Sequence, residues 1–287
     1  MLPKDLLVKP LLRKSYSLPS RGGGVFTEVK GPLKEGALDT FVRLLNTPGV
    51  VALLAARALS LLADTPEAQT LITKSSPSVL SRLFMTFRMK DNEMQKIILT
   101  TLETLSFSSE ELRHRIIQEE QGAGRPILSL LKPGCEQNDQ ILLNAVNLVG
   151  NLAISASDQG ILQPYLTGLV RLLENPVEDR VELLISIARG LANFADFEIN
   201  SLVLTNQLPT IIDNLTRPEV ELLKLHTCRL VTNLLTYETS YTSEMLIMHG
   251  GVLYLQTLFL LPNMRDLVNN CIIRTAPRLS QHRTDKA

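Results

Sequence analysis

The sequence predicts an all-α chain, an α-solenoid of about six units with three helices each. Three observations carry this. A short helix ending on an apolar pair recurs about every 42 residues, nearly every copy is followed by a helix breaker, and the composition is Leu-rich and aromatic-poor. Of 287 residues, 45% are hydrophobic, 5% aromatic and 20% charged, with no Trp. A β-sandwich would lean on β-branched and aromatic side chains, whereas Leu-rich stretches favour packed helices. The charge content is too low for a disordered chain.

The short helix reads FVRLLNTPG near Leu45, LFMTFRMKD near Phe87 and ILSLLKPG near Leu131. It continues as LVRLLENP near Leu173, IIDNLTRP near Leu215 and YLQTLFLLP near Leu258, in steps of 42, 44, 42, 42 and 43 residues. The breakers that follow are Pro48-Gly49, Asp91-Asn92, Pro133-Gly134, Pro176, Pro218 and Pro262. Proline cannot continue a helix interior, so each marks a corner. After each corner comes a longer apolar helix: VVALLAARALSLLAD, MQKIILTTLETLSFS, QILLNAVNLVGNLAIS, RVELLISIARGLANFAD, VELLKLHTCRLVTNLLTY and MRDLVNNCIIRTAPRL. A helix apolar on most faces is one sandwiched between neighbours. Amphipathic connectors such as residues 110–119 and 243–249 complete the period. Three helices per 42 residues is a solenoid layout.

The chain divides into a basic N-terminal arm (1–35), the repeat array (36–277) and a short polar tail (278–287) expected to be disordered. The arm has four prolines, a glycine run and seven Lys and Arg against three Asp and Glu, a net +4. Within it, RKSYSLP makes Ser17 a candidate phosphosite and, once phosphorylated, a candidate 14-3-3 ligand. The N-terminus lacks an uninterrupted apolar core followed by a cleavage site, and no stretch is long enough to span a bilayer, so no membrane insertion is expected. The 29 basic residues equal the 29 acidic ones. That balance argues against nucleic acid, whose binders draw affinity from phosphate contacts. Cys135, Cys228 and Cys271 are scattered and odd in number. A reducing compartment follows, the cytoplasm first and the nucleus second.

No catalytic or metal-binding pattern is present, and no cofactor is expected. The four histidines, His114, His226, His249 and His282, show no zinc spacing. The runs RGGG at 21–24 and GAGRP at 122–126 read as turns. The informative residues are polar ones inside the apolar third helices: Asn144, Asn147 and Asn151; Ser186, Arg189 and Asn193; His226, Arg229 and Asn233. Each triplet has the spacing i, i+3, i+7 and so occupies one stripe of its helix. Unpartnered burial of such groups is costly, so the stripes are expected to face solvent as one ladder. Two or three arginines on one surface suit carboxylates or phosphates.

The phrases HGGVLYLQTL (249–258), NQLPTIIDNL (206–215), NLVGNLA (147–153), RGLANFA (189–195) and RLVTNLL (229–235) resemble the armadillo repeats. In that pattern a Gly precedes the second helix and an Asn ends the third. The resemblance spans residues 36 to about 277. It departs from the pattern where unit 1 lacks a first helix, and where Leu61, Thr104 and Thr275 replace the Asn. The resemblance implies a right-handed array whose third helices line a concave groove. Asn151, Asn193 and Asn233 would then hold the main chain of an extended peptide. Asn147, Arg189 and Arg229 would read its side chains, with Arg57 extending the row. The implied function is a protein-binding scaffold or adaptor, not an enzyme, for an acidic or phosphorylated segment. The alternative is a co-chaperone or assembly factor cradling a client. Basic cargo of the kind carried by nuclear-import adaptors is disfavoured by the arginines and the lack of Trp. A competing reading remains: the asparagines only satisfy backbone groups at helix ends, and the arginines pair with Glu on neighbouring units.

Overall fold

The computed structural model describes residues 36–75, 78–132, 138–173, 180–215, 220–237, 239–259, 261 and 264–284. Among these, every regular element is helical. Unit 1 holds α1 (Ala37–Leu44) and α2 (Val50–Leu62). Unit 2 holds α3 (Pro66–Lys74), α4 (Val79–Phe87) and α5 (Asn92–Ser108). Unit 3 holds α6 (Glu110–Gly122), α7 (Pro126–Leu130) and α8 (Asp139–Leu152). Unit 4 holds α9 (Gln159–Leu173) and α10 (Val181–Phe194). Unit 5 holds α11 (Ser201–Asn206), α12 (Leu208–Leu215) and α13 (Glu221–Tyr237). Unit 6 holds α14 (Thr239–Met248), α15 (Gly251–Leu258) and α16 (Arg265–Thr284).

Local chemistry sets the ends. Thr65, Ser78, Asp91, Ser109 and Asn138 each accept a backbone N–H from the first turn of the following helix. These caps satisfy donors that a helix start leaves open. At the corner before α2, Gly49 has φ 77 and ψ −144, a conformation only glycine tolerates. Within GAGRP, Gly124 (φ 81) and Arg125 (φ 59) turn the chain between α6 and α7, as read from the sequence. RGGG lies outside the described residues.

The third helices α2, α5, α8, α10, α13 and α16 pack side by side as one layer. The second helices stack behind them, α1 on α4, α7 on α9 and α9 on α12. Between the layers lies a core of Leu, Ile, Val and Ala with Phe84, Phe87, Tyr165 and Phe194 fully buried. At one crossing the backbones come close: a Cβ on Gly190 would stand 3.5 Å from the Gly150 Cα and 2.9 Å from the Leu169 Cδ1. Among the described residues, no single helix is long and apolar enough to cross a membrane.

Two expectations are corrected. Unit 4 has two α-helices instead of three: a 3-10 turn (Ala156–Asp158) leads into α9, which runs unbroken through Pro164 and Gly168. The corresponding junctions before α7 and α15 carry a left-handed residue, Arg125 and Gly250, and α9 has none. The tail was expected to start at 278, yet α16 continues through Thr284 with Pro277 inside it. Proline deletes one backbone donor, and the turn before it is anchored. There Thr275 is buried and Arg274 donates to the Leu235 carbonyl at 3.1 Å. Residues 285–287 lie outside the described ones.

Candidate functional site

The three polar stripes do form a ladder, and its rungs run between units. The Asn193 amide donates to the Gly150 carbonyl (2.8 Å), and the Asn233 amide donates to the Ala192 carbonyl (3.2 Å). The Asn151 amide donates to the Ser106 hydroxyl (3.0 Å) and the Glu103 carbonyl (3.5 Å). Each Asn thus reaches the same point on the preceding third helix. The arginines add a second link in the same direction, to the preceding unit. Arg189 donates to the Asn151 Oδ1 (2.9 Å), the Asn147 carbonyl (3.1 Å) and the Asn147 Oδ1 (3.2 Å). Arg229 donates to the Asn193 Oδ1 (3.2 Å). Asn144 donates to the Thr100 hydroxyl at 3.4 Å and accepts from Gln140 at 2.8 Å.

The expectation that these stripes face solvent is therefore wrong for most of them. Asn144, Asn151, Ser186, Asn193, His226, Arg229 and Asn233 are each at most 9% exposed. Asn147 and Arg189 are half-buried. The premise that buried polar groups need partners holds; the partners come from the unit before and the unit after. Asn supplies both sides of the rung, because its side chain carries a donor and an acceptor. The ladder starts at unit 2, where Thr104 bonds within its own helix to the Thr100 carbonyl (3.0 Å). Arg57, the expected extension, is exposed and pairs with Glu93 of the next unit at 3.0 Å. This is the arginine–glutamate pairing of the competing reading.

The charged groups along the ladder are Glu103 of unit 2, Arg189 and Asp196 at unit 4, and Arg229 of unit 5. Burial pushes Glu103 up to about 7, partly opposed by Arg189. Burial pushes Arg189 below its ordinary value, as does Arg229, while Glu103 opposes this. Asp196 accepts from Asn233 and stands 4.0 Å from Arg229; burial raises it against both partners. His226 accepts at Nδ1 from Arg229 (3.4 Å), which leaves its proton on Nε2. Burial, then Arg229 and Arg189, lower its pKa to about 3, so the ring stays neutral.

A second polar series was missed in the sequence. Gln69, Gln159 and Asn200 each donate to a carbonyl six residues back, those of Ala63, Ala153 and Phe194, and so close the ends of α2, α8 and α10. The constant offset of six was the available signal. Elsewhere, His114 Nδ1 and the Ser155 hydroxyl both bind the buried Asp158, at 2.8 and 2.6 Å. The serine points at the carboxylate and not at the imidazole, and it is fully buried. It is not an activated nucleophile. Among the described residues, no group of three or more His, Cys, Asp and Glu could hold a metal. Ser17, with the rest of the N-terminal arm, lies outside the described residues.

No known family profile matches the chain, and no curated protein does. Solved structures match well. An engineered protein aligns at TM-score 0.70 and 21% identity, over 84% of this chain and 96% of its own. A computationally designed armadillo repeat protein for modular peptide recognition aligns at 0.68 and 20%, over 83% and 99%. A designed armadillo repeat protein in complex with the peptide (KR)4 aligns at 0.67 and 19%, over 83% and 99%. The chain has an armadillo-like repeat fold, an all-α solenoid.

Proposed function

We propose that the chain is a non-enzymatic scaffold that holds an extended segment of a partner protein along its third-helix layer, and that the segment is acidic or phosphorylated. The observation that carries this is the pair of cations in adjacent rungs. Arg189 is half-buried, so a ligand can reach it. The carboxylates around the pair oppose it weakly: Glu103 is raised to about 7, and Asp196 stands 4.0 Å from Arg229. A partner carboxylate or phosphate would complete the charge balance with a fork-shaped hydrogen bond. The likeness to designed armadillo proteins supports the peptide class of ligand. The asparagines are assigned a different part from the one first expected. Their amides already bind the preceding helix, so they stiffen the floor and leave side-chain reading to Arg189. The proposed place of action is the cytoplasm, where the buried free thiols of Cys228 and Cys271 stay reduced.

Fluorescence anisotropy with labelled Glu-rich, phosphoserine-containing and (KR)4 peptides tests the reading. The acidic and phosphorylated peptides are expected to bind, with affinity falling as salt is raised, and Arg189→Met to weaken them at least about tenfold, a loss of roughly 1.4 kcal/mol. Tighter binding of (KR)4, or an unchanged affinity in a folded Arg189→Met variant, refutes the acidic specificity.

A further inference from the structure

We propose that Cys228 and Cys271 form a dithiol switch, which a hydroperoxide converts to a disulfide that locks unit 6 onto unit 5. The two lie on α13 and α16, third helices of successive units that pack directly against each other. Both side chains are free and fully buried. Their sulfurs meet: the Cys228 thiol is hydrogen-bonded to Cys271. The Thr232 hydroxyl oxygen sits between the two residues, 2.8 Å from the Cys228 carbonyl and 3.1 Å from the Cys271 Sγ. Four residues before Thr275, which stands where other units have the rung Asn, Cys271 holds the place that Arg229 has on α13. The interface between units 5 and 6 thus carries a thiol pair where the inner interfaces carry an arginine link.

Cys271 is the sulfur that reacts first. The hydrogen bond from Cys228 lowers its pKa; burial opposes this, and Thr232 and the Arg274 guanidinium assist. The same bond, then burial, holds Cys228 above its ordinary value. The Cys271 thiolate attacks one peroxide oxygen, the O–O bond breaks, and a sulfenic acid and hydroxide form. The Cys228 sulfur then attacks the sulfenic sulfur. Its proton leaves with the departing oxygen as water, and the S–S bond closes. In sum, two thiols are oxidised to one disulfide and one hydrogen peroxide is reduced to two waters. Peroxide is close to water in size, so a brief local opening admits it to the covered pair. In a reducing compartment the pair rests as thiols, and a rise in peroxide is the signal. The bond closes a covalent loop between the two helices, so α16 can no longer open separately from α13.

Mass spectrometry of the folded Cys135→Ser chain, treated with hydrogen peroxide, alkylated and then digested, tests the proposal. A linked pair of Cys228 and Cys271 peptides is expected, released by dithiothreitol. Linkage should slow amide exchange in α16 at least about tenfold. Adding Cys228→Ser should leave oxygen adducts on Cys271, whereas adding Cys271→Ser should leave Cys228 reduced. Two alkylated thiols after peroxide, linkage between chains instead of within one, linkage formed only in denaturant, or unchanged α16 exchange in the linked chain overturns the proposal. Adducts on Cys228 in place of Cys271 overturn the order of reaction.

Discussion

Glu120 shows how much of this molecule rests on single buried polar groups. Its Oε1 accepts from the Ile127 and Leu128 amides (2.8 and 3.1 Å) and from the Tyr165 hydroxyl (3.1 Å). It thereby caps α7 from the helix before. Burial nonetheless dominates and raises its carboxyl to about 7. A folded-state value above the unfolded one of about 4.5 means that the native chain holds its proton longer. The resulting stability is complete below about pH 4.5 and lost as pH rises through about 7. Glu120→Gln is therefore expected to flatten the fall in urea-unfolding free energy between pH 5 and pH 8, by at most about 3 kcal/mol. An unaltered slope would show that the carboxyl titrates as an exposed group. His226 acts with the opposite sign, since its depressed value of about 3 removes stability as pH falls below about 6.5. At this scale the sequence revealed which polar residues matter but not where they sit. Asn193 and Arg229 are each visible as part of a stripe in their own helix. Their burial depends on a neighbour some 40 residues away, which the periodicity of one helix does not contain.

At the scale of elements, three corners were legible because each uses a residue with special backbone behaviour, while the breakers at Pro133-Gly134, Pro176, Pro218 and Pro262 lie outside the described residues. Gly49, Gly124 and Gly250 all have positive φ where the chain was expected to turn. The missing break in α9 was not legible, since Pro164 and Gly168 look like turn residues and the helix absorbs both. Gly168 has a packing use instead: a Cβ there would stand 3.0 Å from the Leu131 Cβ. At the α8–α10 crossing Gly150 and Gly190 face each other, a Cβ on either standing 3.4 or 3.5 Å from the other's Cα, and it is this approach that lets Asn193 reach the Gly150 carbonyl. Gly190→Ala would set a methyl 2.9 Å from the tip of Leu169 and 3.5 Å from the Gly150 backbone. Helix propensity favours alanine by about 1 kcal/mol, while overpacking costs about 1–3 kcal/mol. The backbone contact is at ordinary van der Waals distance, so the cost is that of moving the buried Leu169 tip; it offsets the propensity gain, and a change within about 1 kcal/mol is expected in equilibrium unfolding. A loss of about 3 kcal/mol or more would show that the leucine tip is held in place.

Over the whole molecule, stability is close to a sum of unit terms and interface terms between neighbours. The ladder contributes to the interfaces between units 2 and 3, 3 and 4, and 4 and 5. The ends are joined differently, through the exposed Arg57–Glu93 pair at one and the Arg274 bonds to Leu235 and Thr236 at the other. An exposed ion pair is worth about 0–1 kcal/mol, whereas a buried donor left without its partner costs about 1–3 kcal/mol. Cooperativity should therefore be strongest in units 2 to 5. Amide exchange is expected to be slowest in α8 and α10 and faster in α2 and α16. In the double variant Asn193→Ala, Asn233→Ala, two rungs lose their donors, and Arg229 loses the acceptor that holds it. Units 5 and 6 should then open before units 2 to 4, visible as protection lost selectively in α13 and α16. If protection instead fell evenly along the array and unfolding kept a single transition with the wild-type m-value, the apolar layer alone would couple the units. The ladder would then set register without adding cooperativity.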